Sequence, residues 1–177
     1  MIKNINKSEF ETQIGRFYYL WQDKAGRIVI SYLGNSKKDF LDFIKKIKKI
    51  YGDMDEIYFT DKKSNVIETA ITGYFNGKIK KFDFTIEFLA GTSFQKRIWG
   101  KLISVPYGET ISYKRLSFLS GHERAWRAAG SALNRNPVML IIPCHRVIKS
   151  DGRIGRFASG TKLKEFLVNL EKRVDNT

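Results

Sequence analysis

Residues 112–133 read Ser112-Tyr113-Lys114-Arg115-Leu116-Ser117-Phe118-Leu119-Ser120-Gly121-His122-Glu123-Arg124-Ala125-Trp126-Arg127-Ala128-Ala129-Gly130-Ser131-Ala132-Leu133, and this stretch decides how the second half of the chain folds. Ser112 is placed to cap a short helix that runs through Leu119 and is stopped by Gly121. After a short break a second helix is expected from Glu123 to Leu133, with arginines at 124 and 127 and small residues from Ala128 to Ala132. Two short helices around a glycine-containing turn form a helix-turn-helix, whose second helix normally enters a DNA groove. Many packed helix pairs share this layout, so the signal gains weight only from the charge around it.

Working outward, Ser93 can cap a helix with the apolar stripe Phe94, Ile98, Leu102 and Val105, ending before Pro106-Tyr107-Gly108. Downstream, Leu140-Ile141-Ile142 predicts a short buried strand, Lys149–Gly160 a glycine-containing loop, and Thr161–Arg173 a closing amphipathic helix. The first half has another texture. Phe17–Trp21 and Arg27–Leu33 are β-rich runs around the turn-forming Gln22–Gly26, which predicts a hairpin. Phe40, Ile44, Ile47 and Tyr51 recur at helical spacing, and the lysine run 45–49 is read as that helix's solvated face. Residues 56–60 read as a strand, 64–75 as a helix, and the alternation Phe82, Phe84, Ile86, Phe88 as a half-buried strand. Leu89-Ala90-Gly91-Thr92 marks a boundary. The expected fold is α/β (α+β): a small α/β domain with an antiparallel sheet over 1–88, and a mainly helical domain with the helix-turn-helix over 89–177.

Composition bounds the function. The chain has 177 residues, 42% hydrophobic and 28% charged, which is a globular profile for one large or two small domains. No apolar run approaches the roughly 20 residues needed to span a bilayer. Met1-Ile2-Lys3-Asn4 lacks the layout of a secretion signal, so a soluble, cytoplasmic protein is expected. Residues 1–90 hold 16 basic and 12 acidic residues, net +4, whereas 91–177 hold 16 and 6, net +10. Nine of the eleven arginines lie in the second part, where the planar guanidinium suits phosphate and base edges. Nucleic acid is the partner this charge predicts for that part.

Cys144 is the only cysteine, which excludes an internal disulfide and any metal site built on several thiolates. A lone cysteine is by default a small core hydrophobe. Here Pro143 and the pair His145-Arg146 flank it, which is not core composition. A neighbouring imidazole and positive charge would lower the thiol pKa. Glu171 on the closing helix is available to orient His145, giving a Cys–His–Glu relay. On an extended segment Cys144 and His145 would point to opposite faces, so the imidazole is expected to act through a water.

Pro143-Cys144-His145-Arg146-Val147-Ile148 resembles the active-site motif of the O6-alkylguanine-DNA alkyltransferases. Val105-Pro106-Tyr107-Gly108-Glu109-Thr110-Ile111-Ser112-Tyr113 resembles the segment that opens their helix-turn-helix. Arg127-Ala128-Ala129-Gly130-Ser131-Ala132-Leu133-Asn134-Arg135-Asn136-Pro137 resembles their recognition helix and Asn-Pro hinge. Gly152, Gly155, Phe157 and Gly160, then Lys164-Glu165-Phe166-Leu167 and Glu171, resemble the substrate-side loop and closing helix. The likeness is continuous and in register over about residues 91–173.

The resemblance implies a suicide repair protein that rotates O6-alkylguanine, and O4-alkylthymine, out of duplex DNA and takes the alkyl group onto Cys144. It implies Arg127 as the residue that fills the vacated stack, with Ser112, Ala128 and Gly130 at the DNA. Tyr113 is implied as the proton donor to N3 of the base, and Asn136 as the hinge that couples DNA binding to the cysteine. Backbone carbonyls of Cys144 and Val147 would read the guanine amine, Met139 and Phe157 would line the alkyl cleft, and amides near Ala158 and Ser159 would approach O6. No cofactor, no metal, no membrane and no obligatory protein partner are expected, and a monomer is. Arg156, Ser159 and Trp126 depart from the residues usual in the family. Two other readings of the same residues are a damage sensor without transfer chemistry and a cysteine hydrolase using Cys144, His145 and Glu171.

Overall fold

The computed structural model describes residues 3–52 and 57–174. The chain divides into two compact units, Met1–Ala90 and Gly91–Thr177.

In the first unit, strands β1 (Lys3–Thr12), β2 (Gly15–Lys24), β3 (Arg27–Gly34), β4 (Ile57–Asp61) and β5 (Thr85–Ile86) form one sheet in the order β4-β1-β2-β3-β5. The sheet is antiparallel at its centre, β1 with β2 and β2 with β3, and parallel at both edges. Helices α1 (Lys37–Tyr51) and α2 (Asn65–Phe75) are capped by the side chains of Ser36 and Ser64. Tyr18 and Tyr32 meet Phe40 of α1, while Phe17 meets Phe75 of α2. Alternate residues of β2 therefore pack against different helices, which explains why Phe17–Gln22 is one unbroken buried run. The expected strand over 82–88 shrinks to Thr85–Ile86: Phe82 and Phe84 pack on each other, and Phe82 on Tyr74, instead of extending the ladder. The 56–60 expectation begins on Glu56, which lies outside the described residues.

The second unit contains α3 (Ser93–Ile103), α4 (Tyr113–Leu119), α5 (Trp126–Leu133), α6 (Thr161–Val174) and a parallel pair of short strands, β6 (Ile111–Ser112) with β7 (Val147–Ile148). Thr92, not Ser93, caps α3, through a reciprocal box with Gln95. Ser112 caps α4 as expected from the sequence, accepting from the Arg115 amide at 3.1 Å. Helix α5 starts at Trp126 rather than Glu123, after a turn in which the Ala125 amide bonds the His122 carbonyl. Residues 140–142 are not a strand. Leu140 sits at φ +71°, and the Ile142 amide returns to the Val138 carbonyl, so the backbone folds into a tight turn. Cys144–Arg146 is a single 3-10 turn rather than an extended run. No helix among the described residues is long and apolar enough to cross a membrane.

Candidate active site

The β6–β7 pairing sets the residues just before α4 beside the residues just after the cysteine turn. Asn136, three residues past the end of α5, completes the frame. Its side-chain oxygen accepts from the Val138 amide at 3.0 Å, and its Nδ2 donates to the Ile142 carbonyl at 2.8 Å and to Cys144 Sγ at 3.0 Å. One side chain thus fixes the turn after the helix-turn-helix and holds the sulfur.

Behind Cys144 lies a buried charge network. His145 Nε2 and Glu171 Oε1 are 2.8 Å apart. Arg146 grips both Glu171 oxygens at 2.9 Å and donates a third bond to the Val105 carbonyl, while the Gly108 amide donates to Glu171 Oε2 at 3.1 Å. Burial alone would raise the Glu171 carboxyl, but the bonds and charges of His145 and Arg146 overcome it and hold it down at about 2. Burial lowers His145 below the ordinary imidazole range, against the pull of Glu171. The ring is therefore neutral at neutral pH and, with Nε2 donating to Glu171, keeps Nδ1 as an acceptor.

The thiol departs from expectation. Burial pushes Cys144 up, not down. The opposing pull comes from the Asn136 bond and the charge of Lys164, and the His145 ring is engaged by Glu171 instead. The 3-10 geometry also removes the basis for placing Cys144 and His145 on opposite faces of a strand.

Tyr113, the first residue of α4, donates from its hydroxyl to the Arg156 carbonyl and accepts from Lys164 Nζ, each at 3.4 Å. Gly155 makes room for it: a Cβ there would stand 2.6 Å from the phenol oxygen. Gly130 lies against the same ring more loosely, its hypothetical Cβ at 3.6 Å. Ser159 Oγ reaches Met139 Sδ at 3.5 Å, joining two of the residues assigned to the alkyl cleft, and Phe157 lies under the Lys164 ammonium. Ala158 is exposed, and Val147 is fully buried with its carbonyl accepting from Lys164.

The α4–α5 face is open. Lys114, Arg115, Arg124, Arg127, Ala128, Ser131 and Arg135 are exposed, and Arg127 stacks on the neighbouring Trp126 ring, 4.3 Å from its centroid. Among the described residues none of these basic side chains is paired to a carboxylate.

Sequence reasoning named Arg146 and Lys164 within its motifs but missed what they do in the site: Arg146 clamps the Glu171 carboxylate and Lys164 is buried against the Val147 carbonyl. A signal existed for Lys164. The buried positions of α6 are 164, 167, 168 and 171, a helical stripe with a lysine and a glutamate on the face that should be apolar.

A family model described as the 6-O-methylguanine DNA methyltransferase DNA-binding domain matches residues 93–173. The methylated-DNA–protein-cysteine methyltransferase of Methanosarcina barkeri is 43% identical over 159 residues, spanning 88% of this chain and 97% of the relative. That of Methanosarcina acetivorans is 36% identical over 155 residues with the same coverage. The crystal structure of Mycobacterium tuberculosis O6-methylguanine methyltransferase superposes with a TM-score of 0.76 at 27% identity, covering 96% of this chain and 93% of that one. A Mycobacterium tuberculosis OGT in complex with DNA gives 0.74 at 27% identity, covering 97% and 94%. A relative matched along nearly its whole length carries the conclusion drawn from the cysteine frame: the chain belongs to the methylated-DNA–protein-cysteine methyltransferase family.

Proposed function

We propose that this protein repairs O6-alkylguanine in double-stranded DNA, taking the alkyl group irreversibly onto Cys144 and returning guanine. The observation that carries the reading is the Asn136 amide, which bonds Cys144 Sγ at the end of the segment leading out of α5. A helix that docks on DNA and a sulfur that reacts are thereby parts of one rigid turn.

The target alkyl carbon lies inside the duplex, so the nucleotide must leave the stack before a buried thiolate can reach it. Arg127 on α5 takes the vacated space, while Ser112, Ala128 and Gly130 let the backbone approach the groove. In the pocket, Nδ1 of His145 receives the thiol proton through a water, and Glu171 holds the resulting imidazolium. The sulfur then attacks the alkyl carbon in line; the S–C bond forms as the C–O6 bond breaks. Tyr113 delivers a proton to N3 so that the guanine leaves neutral. The carbonyls of Cys144 and Val147 already accept bonds from the Val147 amide and from Lys164, and each keeps a second lone pair for the guanine amine. Met139, Phe157, Ala158 and Ser159 bound the alkyl group and O6.

Among the described residues the thioether has no neighbour able to cleave it, so each chain acts once, as a monomer in the cytoplasm. Residues 89–177 carry binding and transfer, and residues 1–88 support them. The test is intact mass after incubation with a duplex containing O6-methylguanine. A gain of about 14 Da at Cys144, saturating at one per chain and absent in Cys144→Ala, is expected. Binding without a mass change would leave a damage sensor, and repair beyond one equivalent would exclude suicide transfer.

A further inference from the structure

The loop that leads into α6 carries two arginines in opposite situations. Arg153 is tied down: Asp151 accepts from its backbone amide at 3.0 Å, from Nε at 2.8 Å and from Nη2 at 2.7 Å. Arg156 is exposed, and among the described residues its guanidinium has no carboxylate and no hydrogen-bond partner. Its backbone is nonetheless fixed. The Tyr113 hydroxyl donates to the Arg156 carbonyl at 3.4 Å, and a Cβ on the preceding Gly155 would stand 2.6 Å from that phenol oxygen. The loop also bonds to itself on both sides of Arg156, from the Lys149 amide to the Arg153 carbonyl at 2.9 Å and from the Gly160 amide to the Phe157 carbonyl at 3.1 Å. Phe157, the next residue, turns inward under the Lys164 ammonium. A lone cation is thus held at a defined place on the rim of the site. Keeping it unpaired in water costs little, and what it attracts is an anion.

The chemistry of guanine decides which anion. In the alkyl-transfer reading above, on which this inference rests, Tyr113 faces N3 of the base. N3 is joined through the ring carbon C4 to N9, the atom that carries the deoxyribose. O6 and its alkyl group lie directly across the six-membered ring. A residue beside the Tyr113 hydroxyl therefore stands at the sugar end of an extruded nucleotide, away from the alkyl group at Cys144. We propose that the Arg156 guanidinium binds a backbone phosphate of the extruded O6-alkylguanine nucleotide and holds that nucleotide in the site. The planar fork matches two phosphate oxygens. A nucleotide leaves the stack by rotating about its backbone, so this contact is completed only after rotation and favours the extruded state over the stacked one. Arg127 and Arg156 divide the work. Arg127 fills the gap left in the duplex, and Arg156 holds what has left it. The Tyr113 contact is made by the Arg156 backbone, which leaves the side chain available to the phosphate.

The test compares three substrates on the full chain: a duplex containing O6-methylguanine, a single-stranded trinucleotide with O6-methylguanine at its centre, and free O6-benzylguanine, which has no phosphate. Arg156→Ala is expected to slow the second-order reaction with the duplex and with the trinucleotide about tenfold more than with the free base. Arg127→Ala is expected to spare the trinucleotide, which has no duplex gap to fill. The exposed Arg156 side chain makes no contact within the protein, so its truncation leaves folding intact. The phosphate itself is tested by replacing the two phosphates that flank the lesion in the duplex, one at a time, with uncharged methylphosphonates. One replacement is expected to slow the wild-type chain about tenfold and to slow Arg156→Ala no further. A trinucleotide that reacts with Arg156→Ala as it does with the wild type overturns the proposal. So do methylphosphonates that slow both chains by the same factor. A wild-type chain that accepts no alkyl group from any of the three substrates refutes the function itself. Normal wild-type transfer, with all three substrates slowed alike by Arg156→Ala, refutes only this inference.

Discussion

The second unit carries its charge in two opposite ways. Around Cys144, His145, Arg146, Lys164 and Glu171 are enclosed and tied to defined partners. On the α4–α5 face, Lys114, Arg115, Arg124, Arg127 and Arg135 are exposed, with no carboxylate opposite them among the described residues. The first region supplies geometry: desolvated charges hold only with every bond made, so they lock the turn that carries the sulfur. The second supplies attraction: uncompensated surface charge in water costs little and draws a polyanion. The net +10 of residues 91–177 is thus the sum of a rigid interior and a sticky exterior. Damage to the interior should appear in stability and with every substrate; damage to the exterior should appear only with DNA.

The sharpest way to break this contrast is Glu171→Gln. It leaves Arg146 enclosed without its carboxylate, and removing one partner of a buried pair costs about 3–5 kcal/mol. Chemical denaturation is expected to show a loss of that order, together with slower reaction on free O6-benzylguanine. Arg16→Ala in the first unit, which breaks the exposed bridges to Glu9 and Glu11, is expected to cost less than about 1 kcal/mol. Similar losses in the two variants would mean that the enclosed network does not hold the site.

Arg127→Ala tests the exterior. Loss of a specific arginine contact costs about 1–3 kcal/mol, so duplex repair is expected to slow roughly 10- to 100-fold while reaction with O6-benzylguanine is unchanged. The salt dependence of duplex binding should flatten for Arg135→Ala as well, because each neutralised phosphate contributes about one unit of slope. Equal losses on duplex and free base would place Arg127 in the interior class.

Acidification probes the interior again, with a smaller effect. His145 titrates below the ordinary imidazole value when folded, so the unfolded chain takes up a proton first and stability falls as the pH drops below about 6.5. Glu171 adds to the loss as the pH falls from the ordinary carboxyl range toward about 2. The unfolding free energy from urea titrations should decline between pH 7 and pH 4 by an amount on the order of 1–2 kcal/mol. The Glu171 part of the decline should vanish in Glu171→Gln, and a flat profile would contradict the buried neutral imidazole.

What could be read beforehand follows the same division. Helix α1 was legible because its stripe of Phe40, Ile44, Ile47 and Tyr51 is local, and Ser112 at the head of α4 likewise. Strand β1 gave no signal: its polar residues hold their place through backbone pairing with β2 and β4 on either side, which composition does not record. Leu140–Ile142 looked like a strand because apolar residues bury equally well in a tight turn. At the site, the motif around Cys144 pointed to the chemistry. The sign of the thiol shift did not follow from neighbours in sequence, because burial and the reach of Asn136 and Lys164 are tertiary facts. Lys164 hid in plain view as one lysine among many, and only its place on the buried stripe of α6 distinguishes it.

The smallest effect sits on the exposed face, at the start of α5. Trp126 holds the Arg127 guanidinium on its ring face at the start of α5, and both side chains are exposed. Such a stack is worth about 0.5–1 kcal/mol at an exposed site. Arg127 must leave it to enter the duplex, so the stack stabilises the free protein and not the docked one. Trp126→Ala is therefore expected to speed duplex repair about two- to fivefold, with O6-benzylguanine unaffected and Trp126→Phe falling between. Trp21 and Trp99 are buried, so iodide quenching of the fluorescence reports the exposed indole and should change as Arg127 departs on DNA binding. Slower duplex repair in Trp126→Ala would instead make the indole itself a DNA contact, moving it from a brake on the exterior charge to a part of it.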